Sequence, residues 1–253
     1  MNDDGIHSPG LWISVAALRE VADVTVVAPD REQSGVGTAI TLSQPLRVRE
    51  IPPHVEGVPT YAVEGTPSDS AIVALQTLIE EPVDLVVSGI NMGANMGNDV
   101  FISGTMGAAL QAHFRGIPAI AISVAALHDV HFDAAARVVR LLAQNVAEGR
   151  LIAPLLLNVN LPNVPAERIR GVSLTRLGRR TYMDVVNEGD DGRRKYYWIA
   201  RDRPGWVLER GLDVWAVRRR RISITPMDTD LTADSPTRAV RDATRQVRAS
   251  FRR

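Results

Sequence analysis

Four segments show the three- and four-residue spacing of apolar positions that is typical of amphipathic helices. They are residues 11–21, 68–79, 104–114 and 133–146. Short runs rich in Val, Ile, Leu and Ala alternate with them, as expected for strands that are buried on both faces. These runs are residues 23–28, 83–87, 117–123 and 155–159. The alternation predicts an α/β fold in which helices cover both sides of a mostly parallel sheet, giving a three-layer sandwich.

The character of the sequence changes near Gly171, where Arg, Tyr, Trp and Gly become common. Residues 189–192 (GDDG) predict the turn of a protruding β-hairpin. In residues 236–251, Arg alternates with Ala and Val at the spacing of a helix. Residues 218–221 (RRRR) are interpreted as the solvated basic edge of a strand. We therefore predict an α/β domain at 1–170, followed by a hairpin, a closing strand and a C-terminal helix at 171–253.

Charge and residue content argue against several classes of function. The 253 residues contain 29 Lys plus Arg and 29 Asp plus Glu, so no overall positive field exists to hold a nucleic acid. The absence of cysteine leaves oxygen and imidazole as metal ligands. We expect neither a membrane span nor a leader, because no apolar run approaches roughly 20 residues. The prediction is a cytoplasmic protein with no nucleic-acid or membrane partner.

Three polar, glycine-rich segments follow the predicted strands or open the chain. They are residues 2–5 (NDDG), 29–35 (PDREQSG) and 88–97 (SGINMGANMG). Ligands of open α/β sheets bind outside the carboxyl ends of the strands, where such loops converge. We therefore expect all three segments to lie at one edge of the sheet and to form the functional site.

Asp3 and Asp4 are adjacent carboxylates that repel each other unless a cation or buried donors compensate. Mg²⁺ or Mn²⁺ would compensate, since these ions prefer the carboxylate, amide, hydroxyl and water oxygens that the three loops offer. Taken alone, an Asp-Asp-Gly sequence is more often a solvated turn. Its position within this set of loops favours the metal site.

Asn91 and Asn95 stand four residues apart among glycines, which lets the backbone bend tightly and exposes amide groups to a ligand. The spacing is not that of a dinucleotide fingerprint, so a nicotinamide enzyme is not expected. Ser103, Gly104 and Thr105 precede a predicted helix, whose free N–H groups could hold a phosphate. A plain N-cap by Ser103 is an equally good interpretation, and both can hold at once.

The sequence resembles the survival protein SurE family in segments that occur in the family's order. These segments run through nearly the whole chain: residues 2–10 (NDDGIHSPG), 27–31 (VAPDR) with 34–35 (SG), 65–69 (GTPSD), 88–93 (SGINMG), 103–105 (SGT) and 222–226 (ISITP). Their length and number make a chance match a poor explanation.

The resemblance implies a Rossmann-like catalytic domain at 1–170 that holds one divalent cation, Mg²⁺ or Mn²⁺, per subunit. It places the metal ligands at Asp3, Asp4, Ser34 and Asn91. As the mechanism, we expect Asp3 and Asp4 to be the catalytic residues, one of them orienting the attacking water. It places phosphate contacts at Asn95, Ser103, Gly104 and Thr105. The implied activity is hydrolysis of nucleoside 5′- and 3′-monophosphates and of short polyphosphate. The implied assembly is a homodimer or homotetramer built through the hairpin and the C-terminal helix.

Two further functions are weighed against a nucleotidase. The first is a nucleotide-binding protein without catalysis. This is plausible because the family ordinarily has a strand before the Asp-Asp loop, whereas only Met1 precedes Asn2 here, so neighbouring strands are expected to lose hydrogen-bond partners. The second is a metal-dependent glycosyltransferase, whose acidic pair normally follows an inner strand.

Overall fold

The computed structural model describes residues 1–178, 180–181, 184–201, 205–233 and 235–251. The α-helices in these ranges are α1 (Pro9–Leu18), α2 (Pro67–Val73), α3 (Gly104–His113), α4 (Asp133–Ala147), α5 (Asp213–Arg218) and α6 (Arg238–Ser250). The strands are β1 (Val26–Pro29), β2 (Val48–Glu50), β3 (Thr60–Val63), β4 (Val86–Met92), β5 (Ala119–Val124), β6 (Leu156–Leu161), β7 (Val172–Leu174), β8 (Arg180–Thr181), β9 (Asp184–Asp190), β10 (Lys195–Arg201), β11 (Gly205–Trp206) and β12 (Ile222–Pro226). Short 3₁₀ helices cover Gly97–Ile102 and Ala166–Arg168.

The larger sheet has the order β4-β5-β6-β12-β7. Strands β4, β5 and β6 are parallel, and β12 joins β6 in the antiparallel direction. Both β5 and β6 are buried along their whole length, which suits the apolar sequence of β5 and the four apolar residues among the six of β6. The predicted mixed α/β fold with a parallel-rich sheet is confirmed.

A smaller sheet has the order β1-β3-β2, with β1 parallel to β3 and β2 antiparallel to it. Met1 lies between the two sheets. Its amino group donates to the Val87 carbonyl at 3.0 Å, its carbonyl accepts from the Gly89 N–H at 2.7 Å, and its side chain packs with Val27 of β1. The Asp-Asp segment therefore starts in the gap between β4 and β1.

Helices cover both faces of the larger sheet and complete the three layers. On one face, α1 and α4 pack on an apolar cluster that includes Ile120, Ile122 and Val159. On the other face, α3 packs through Met106 and Ala109, with α2 against it. In the described part of the chain, no helix combines the length and the hydropathy that a membrane crossing requires.

Several boundaries differ from the sequence prediction. Strand β4 continues through Met92 with a register shift between Ser88 and Asn91, so half of the predicted loop 88–97 is strand. The predicted helix 68–79 ends as α2 at Val73 and continues as a π-helix over Ala74–Leu78. The strand interpretation of residues 218–221 is wrong, since Arg218 ends α5 and β12 begins only at Ile222.

The predicted hairpin is formed by β9 and β10, which pair in the antiparallel direction with Asp190 opposite Lys195. The predicted C-terminal helix is α6, which has no buried residue. Strands β7 and β12, from the second predicted region, belong to the larger sheet. The division of function between the two regions stays a prediction.

Candidate metal and phosphate site

The Asp-Asp segment is a tight turn held against the loop that follows β1. The Gly5 N–H donates to the Asn2 carbonyl at 3.2 Å, and the Ile6 N–H donates to the Pro29 carbonyl at 2.8 Å. Gly5 has a φ of 88°, and a Cβ there would lie 2.8 Å from the carbonyl carbon of Arg31. Only glycine fits this turn, because an added Cβ would separate the two loops.

Asp3 is 4% exposed and is held by the first turn of α3. Its Oδ1 accepts a hydrogen bond from Thr105 Oγ1 at 2.6 Å, and the carboxylate also accepts from the Thr105 backbone N–H. Burial raises the pKa of Asp3 above its ordinary value, and the Thr105 hydrogen bonds act in the opposite direction. Gly104 permits this approach, since a Cβ there would lie 2.8 Å from the Asp3 Cβ.

Asp4 lies between the same turn and the end of β4. Its Oδ2 accepts a hydrogen bond from the Met92 N–H at 2.9 Å, and its own N–H donates to Asn2 Oδ1 at 3.0 Å. Burial raises the pKa of Asp4 to about 6, and the nearby charges of Asp3 and Glu32 act in the same direction. The pair therefore carries negative charge that the hydrogen bonds only partly offset.

Asn91 and Ser34 are joined to the acidic pair through their chain neighbours. Asn91 precedes Met92 and is 5% exposed, and its Nδ2 donates to the Gly93 carbonyl at 2.7 Å, so its Oδ1 is the atom that could meet a cation. Ser34 is exposed and donates to Glu32 Oε1 at 3.0 Å. The neighbouring Gln33 N–H donates to the Asp3 carbonyl at 2.7 Å. The chain segments that carry the four predicted metal ligands are therefore in contact with one another.

Asn95 is the centre of a buried hydrogen-bond network. Its side-chain Nδ2 donates to Thr105 Oγ1 at 3.2 Å and to Ser123 Oγ at 3.0 Å. Its backbone N–H donates to Asn160 Oδ1 at 2.9 Å, and its carbonyl accepts from the amides of both Asn158 and Asn160. Since Thr105 also bonds Asp3, one chain of hydrogen bonds runs from β6 to the acidic pair.

The sequence analysis did not identify Ser123, Asn158 and Asn160, although all three are fully buried. The available signal was a pair of asparagines at alternate positions of an apolar strand, which therefore point to the same face. Asn2 was missed as well. It is 0% exposed, and its Nδ2 donates to the Ile90 carbonyl at 3.0 Å, which ties the acidic turn to β4.

Asp213 anchors the other end of the Asn95 segment. It is 0% exposed, and its Oδ2 accepts from the Gly97 N–H at 2.7 Å. Its Oδ1 accepts from the N–H groups of Gly178 and Val214 at 2.8 and 2.7 Å. Burial raises the pKa of Asp213, while these hydrogen bonds lower it. A single carboxylate therefore fixes three backbone segments beside the candidate site.

Ser103 is the N-cap of α3, since its side chain accepts from the Met106 N–H at 3.2 Å, and the predicted N-cap is confirmed. Ser103, Gly104 and Thr105 are all buried at the start of this helix, next to Asp3. The positive end of the helix dipole is therefore directed at the acidic pair and at any anion bound beside it. The role of these residues in phosphate binding stays a prediction.

The donor atoms present fit a hard divalent cation. Asp3 and Asp4 are adjacent carboxylates whose pKa values are raised by burial, which indicates uncompensated negative charge. Within the described ranges, no group of three or more His, Cys, Asp or Glu side chains is arranged to hold a metal. Neutral oxygens such as Asn91 Oδ1 and Ser34 Oγ would therefore have to complete the site, as Mg²⁺ and Mn²⁺ accept.

Comparisons with known proteins agree on one family. A family model described as survival protein SurE matches residues 1–184. The 5′-nucleotidase SurE of Dehalococcoides mccartyi (strain CBDB1) is 46% identical over 228 residues, or 89% of this chain and 86% of that protein. The 5′-nucleotidase SurE of Geobacter sulfurreducens is 47% identical over 233 residues, or 91% of this chain and 87% of that protein.

A solved structure shares the fold. The crystal structure of the SurE protein from Aquifex aeolicus is 37% identical in sequence and superposes with a TM-score of 0.78. The match covers 98% of this chain and 97% of the other. The relationship therefore extends beyond the segment matched by the family model.

Proposed function

The chain belongs to the survival protein SurE family, and on that premise we propose that it is a metal-dependent phosphomonoesterase that converts nucleoside 5′-monophosphates to nucleoside and phosphate. The observation that carries the proposal is the pair of adjacent carboxylates beside the start of α3, of which Asp3 is buried and Asp4 is half-buried. The acidic pair needs a cation to balance its negative charge, and the adjacent end of the helix favours anions. This combination suits a phosphate group bridged to a metal.

Asp3, Asp4, Asn91 and Ser34 would hold one divalent cation, Mg²⁺ or Mn²⁺. When bound, such a cation lowers the pKa of a coordinated water and balances charge on the phosphoryl oxygens. Thr105 orients Asp3 through its 2.6 Å hydrogen bond, which also offsets part of the burial that raises the pKa of this carboxyl group. Met92 orients Asp4 in the same way through its N–H group. The carboxylates are thus arranged before the substrate arrives.

Phosphate binding would fall to Asn95 and to Ser103, Gly104 and Thr105. The two N–H groups of the Asn95 side chain donate to Thr105 and Ser123, and its backbone N–H donates to Asn160, so Asn95 would have to release one of these partners to donate to an equatorial oxygen. The Gly104 N–H at the start of α3 would add a donor, since the N–H groups of Thr105 and Met106 already donate to Asp3 and Ser103. Asp4 or Asp3 would orient the attacking water, and direct attack by an aspartate is the alternative. Nucleoside 3′-monophosphates and short polyphosphate are further candidate substrates at the same site.

We also propose that the protein is a homodimer or homotetramer in the cytoplasm. Helix α6 supports the assembly, because Val240 and Val247 lie seven residues apart on one face and are 54% and 58% exposed. Val247→Glu should lower the mass measured by analytical ultracentrifugation, while the neighbouring Gln246→Glu should not. A monomeric unmodified protein would contradict the proposed assembly.

A substrate panel tests the proposed activity. The panel comprises AMP and GMP, their 3′ isomers and a sugar nucleotide, each with Mg²⁺, Mn²⁺ or EDTA. Phosphate release from the monophosphates that EDTA abolishes is the expected result. Binding of nucleotide without phosphate release would favour the non-catalytic alternative, and transfer from the sugar nucleotide would favour the glycosyltransferase.

A further inference from the structure

A cavity of about 420 Å³ lies on the side of the smaller sheet that faces α1. Its apolar floor includes Ile6, Ile51 and Ala62. This volume falls within the range of small-molecule binding sites, which combine apolar walls with a few polar groups. Of the residues that line the cavity, Ile6, His7 and Asp30 belong to the loops of the candidate metal site or lie directly beside them.

The cavity is close to the acidic pair. His7 follows Asp4 by three residues, which limits the separation of their Cα atoms to roughly 11 Å. Asp30 directly follows β1 in the loop that leads to Ser34. The hydrogen bond between the Ile6 N–H and the Pro29 carbonyl holds these two lining segments together. A ligand bound in the cavity could therefore extend its phosphate to the candidate metal site.

One wall of the cavity is aromatic and rigidly supported. The ring of His54 stacks on Trp12 with centroids 4.3 Å apart and an interplanar angle of 15°. Trp12 is fixed in turn by its Nε1–H, which donates to the Ile6 carbonyl at 2.8 Å. The ring centroids of His7 and His54 are 6.2 Å apart. Flat rings that are held in this way suit a planar aromatic ligand that stacks on them.

The polar groups of the cavity indicate which ligand fits. Asp30 lines the cavity and is half-buried. A carboxylate can only accept, so this side chain favours a ligand that carries an N–H or O–H group. Arg49 lines the same cavity and is exposed. Its guanidinium group has N–H donors and no acceptor. The ligand should therefore carry donors on one edge and acceptors on another.

We propose that this cavity binds the base of the nucleoside monophosphate substrate and prefers guanine. The base would stack on the histidine wall. Its N1–H and 2-amino groups would donate to Asp30, while Arg49 would donate to O6 and N7, the bidentate contact that arginine makes with guanine. The proposal rests on the proposed nucleotidase function for the phosphate end of the ligand. The base contacts themselves need no metal.

Binding of guanosine in EDTA tests the cavity without any catalysis. Calorimetric titration should show saturable binding of guanosine to the unmodified protein and at least about tenfold weaker binding to Asp30→Asn. Arg49→Ala, a change in an exposed side chain, should weaken binding similarly and replaces Asp30→Asn if that variant does not fold. His128→Ala, which alters an exposed histidine elsewhere, should bind as the unmodified protein does. Equal affinity in all four proteins, or no binding in any, would overturn the proposal.

Kinetics separate this inference from the proposed function. The ratio of kcat/KM for GMP to that for ribose 5-phosphate should fall at least about fivefold in Asp30→Asn, because only GMP has a base. An unchanged ratio in an active enzyme refutes the base site and leaves the phosphatase intact. Guanosine binding that depends on Asp30, in a protein that releases no phosphate, refutes the phosphatase and supports the base site.

Discussion

The hydroxyl of Thr105 lies 2.6 Å from Oδ1 of Asp3, although 102 residues separate the two in sequence. This contact joins the first turn of α3 to the acidic turn and offsets part of the burial that raises the pKa of Asp3. Because Thr105 also accepts from Asn95, it connects the predicted metal ligands with the predicted phosphate contacts.

Thr105→Val removes this donor with little change of shape. A hydrogen bond to a charged group is worth about 1.5–3 kcal/mol, so the dissociation constant for Mn²⁺ should rise by about 10- to 100-fold. Calorimetric titration at neutral pH measures the change. Thr105→Ser keeps the hydroxyl and should bind Mn²⁺ nearly as the unmodified protein does. An unchanged affinity in Thr105→Val would show that the contact does not prepare Asp3 for a cation.

Asn160→Ala leaves the backbone N–H of Asn95 without its partner. An unsatisfied buried group costs about 1–3 kcal/mol of stability, and displacement of Asn95 should lower kcat/KM for AMP by about 10- to 100-fold. Urea unfolding and phosphate release measure the two effects. Asn145→Ala, which alters a surface asparagine on α4, is the control and should change kcat/KM little. Loss of stability with full activity would limit Asn160 to a structural role.

Asp213→Asn replaces one of two oxygens that together accept three backbone N–H groups. The amide NH₂ would then face a backbone donor, so the free energy of unfolding should fall by about 1–3 kcal/mol. Urea denaturation measures this change. Asp228→Asn, at an exposed aspartate, should stay within about 0.5 kcal/mol of the unmodified protein. Equal stability of the two variants would contradict the anchoring role of Asp213.

The raised pKa of Asp4 predicts how metal binding depends on pH. With a pKa of about 6, this carboxyl group is mostly protonated below pH 6 in the metal-free protein, and a proton there competes with the cation. The affinity for Mn²⁺ should be nearly constant above that value and should fall by about tenfold or more per pH unit below it, since the pKa of Asp3 is raised as well. Titration with Mn²⁺ across this pH range measures the slope. Asp4→Asn is the control, and its affinity should fall less steeply with decreasing pH. If the affinity for Mn²⁺ one pH unit below 6 equalled the affinity at neutral pH, the assignment of Asp4 as a metal ligand would be contradicted.

The layered fold could be predicted from the sequence because helix and strand periods are local properties. Helix α3 begins at Gly104 as expected and ends within one residue of the prediction. The convergence of the acidic turn with the loop after β1 follows from the direction of parallel strands. The continuation of β4 through Asn91 could not be predicted, because its glycine-rich sequence is typical of a loop and only pairing with β5 makes it a strand.

The support of the candidate site depends on distant pairing and was not visible in the sequence. Asn160 meets Asn95 across 65 residues, and Asp213 meets Gly97 across 116. Glu32 was missed for a similar reason, since its proximity to Asp3 and Asp4 arises only when the Asp-Asp turn folds onto the loop after β1. The sequence indicates which residues form such a site, whereas the contacts between them can be seen only in the tertiary structure.

Phosphate release from AMP by Asp4→Asn, with Mn²⁺ present, tests the central claim most directly. The claim is that the Asp3–Asp4 pair holds the cation that activates water and stabilises phosphoryl transfer. Because such stabilisation is worth several kcal/mol, the rate should fall by about a thousandfold while circular dichroism shows a folded protein. Asp23→Asn, which alters a fully exposed carboxylate, should keep the full rate. Full turnover by folded Asp4→Asn would contradict the account.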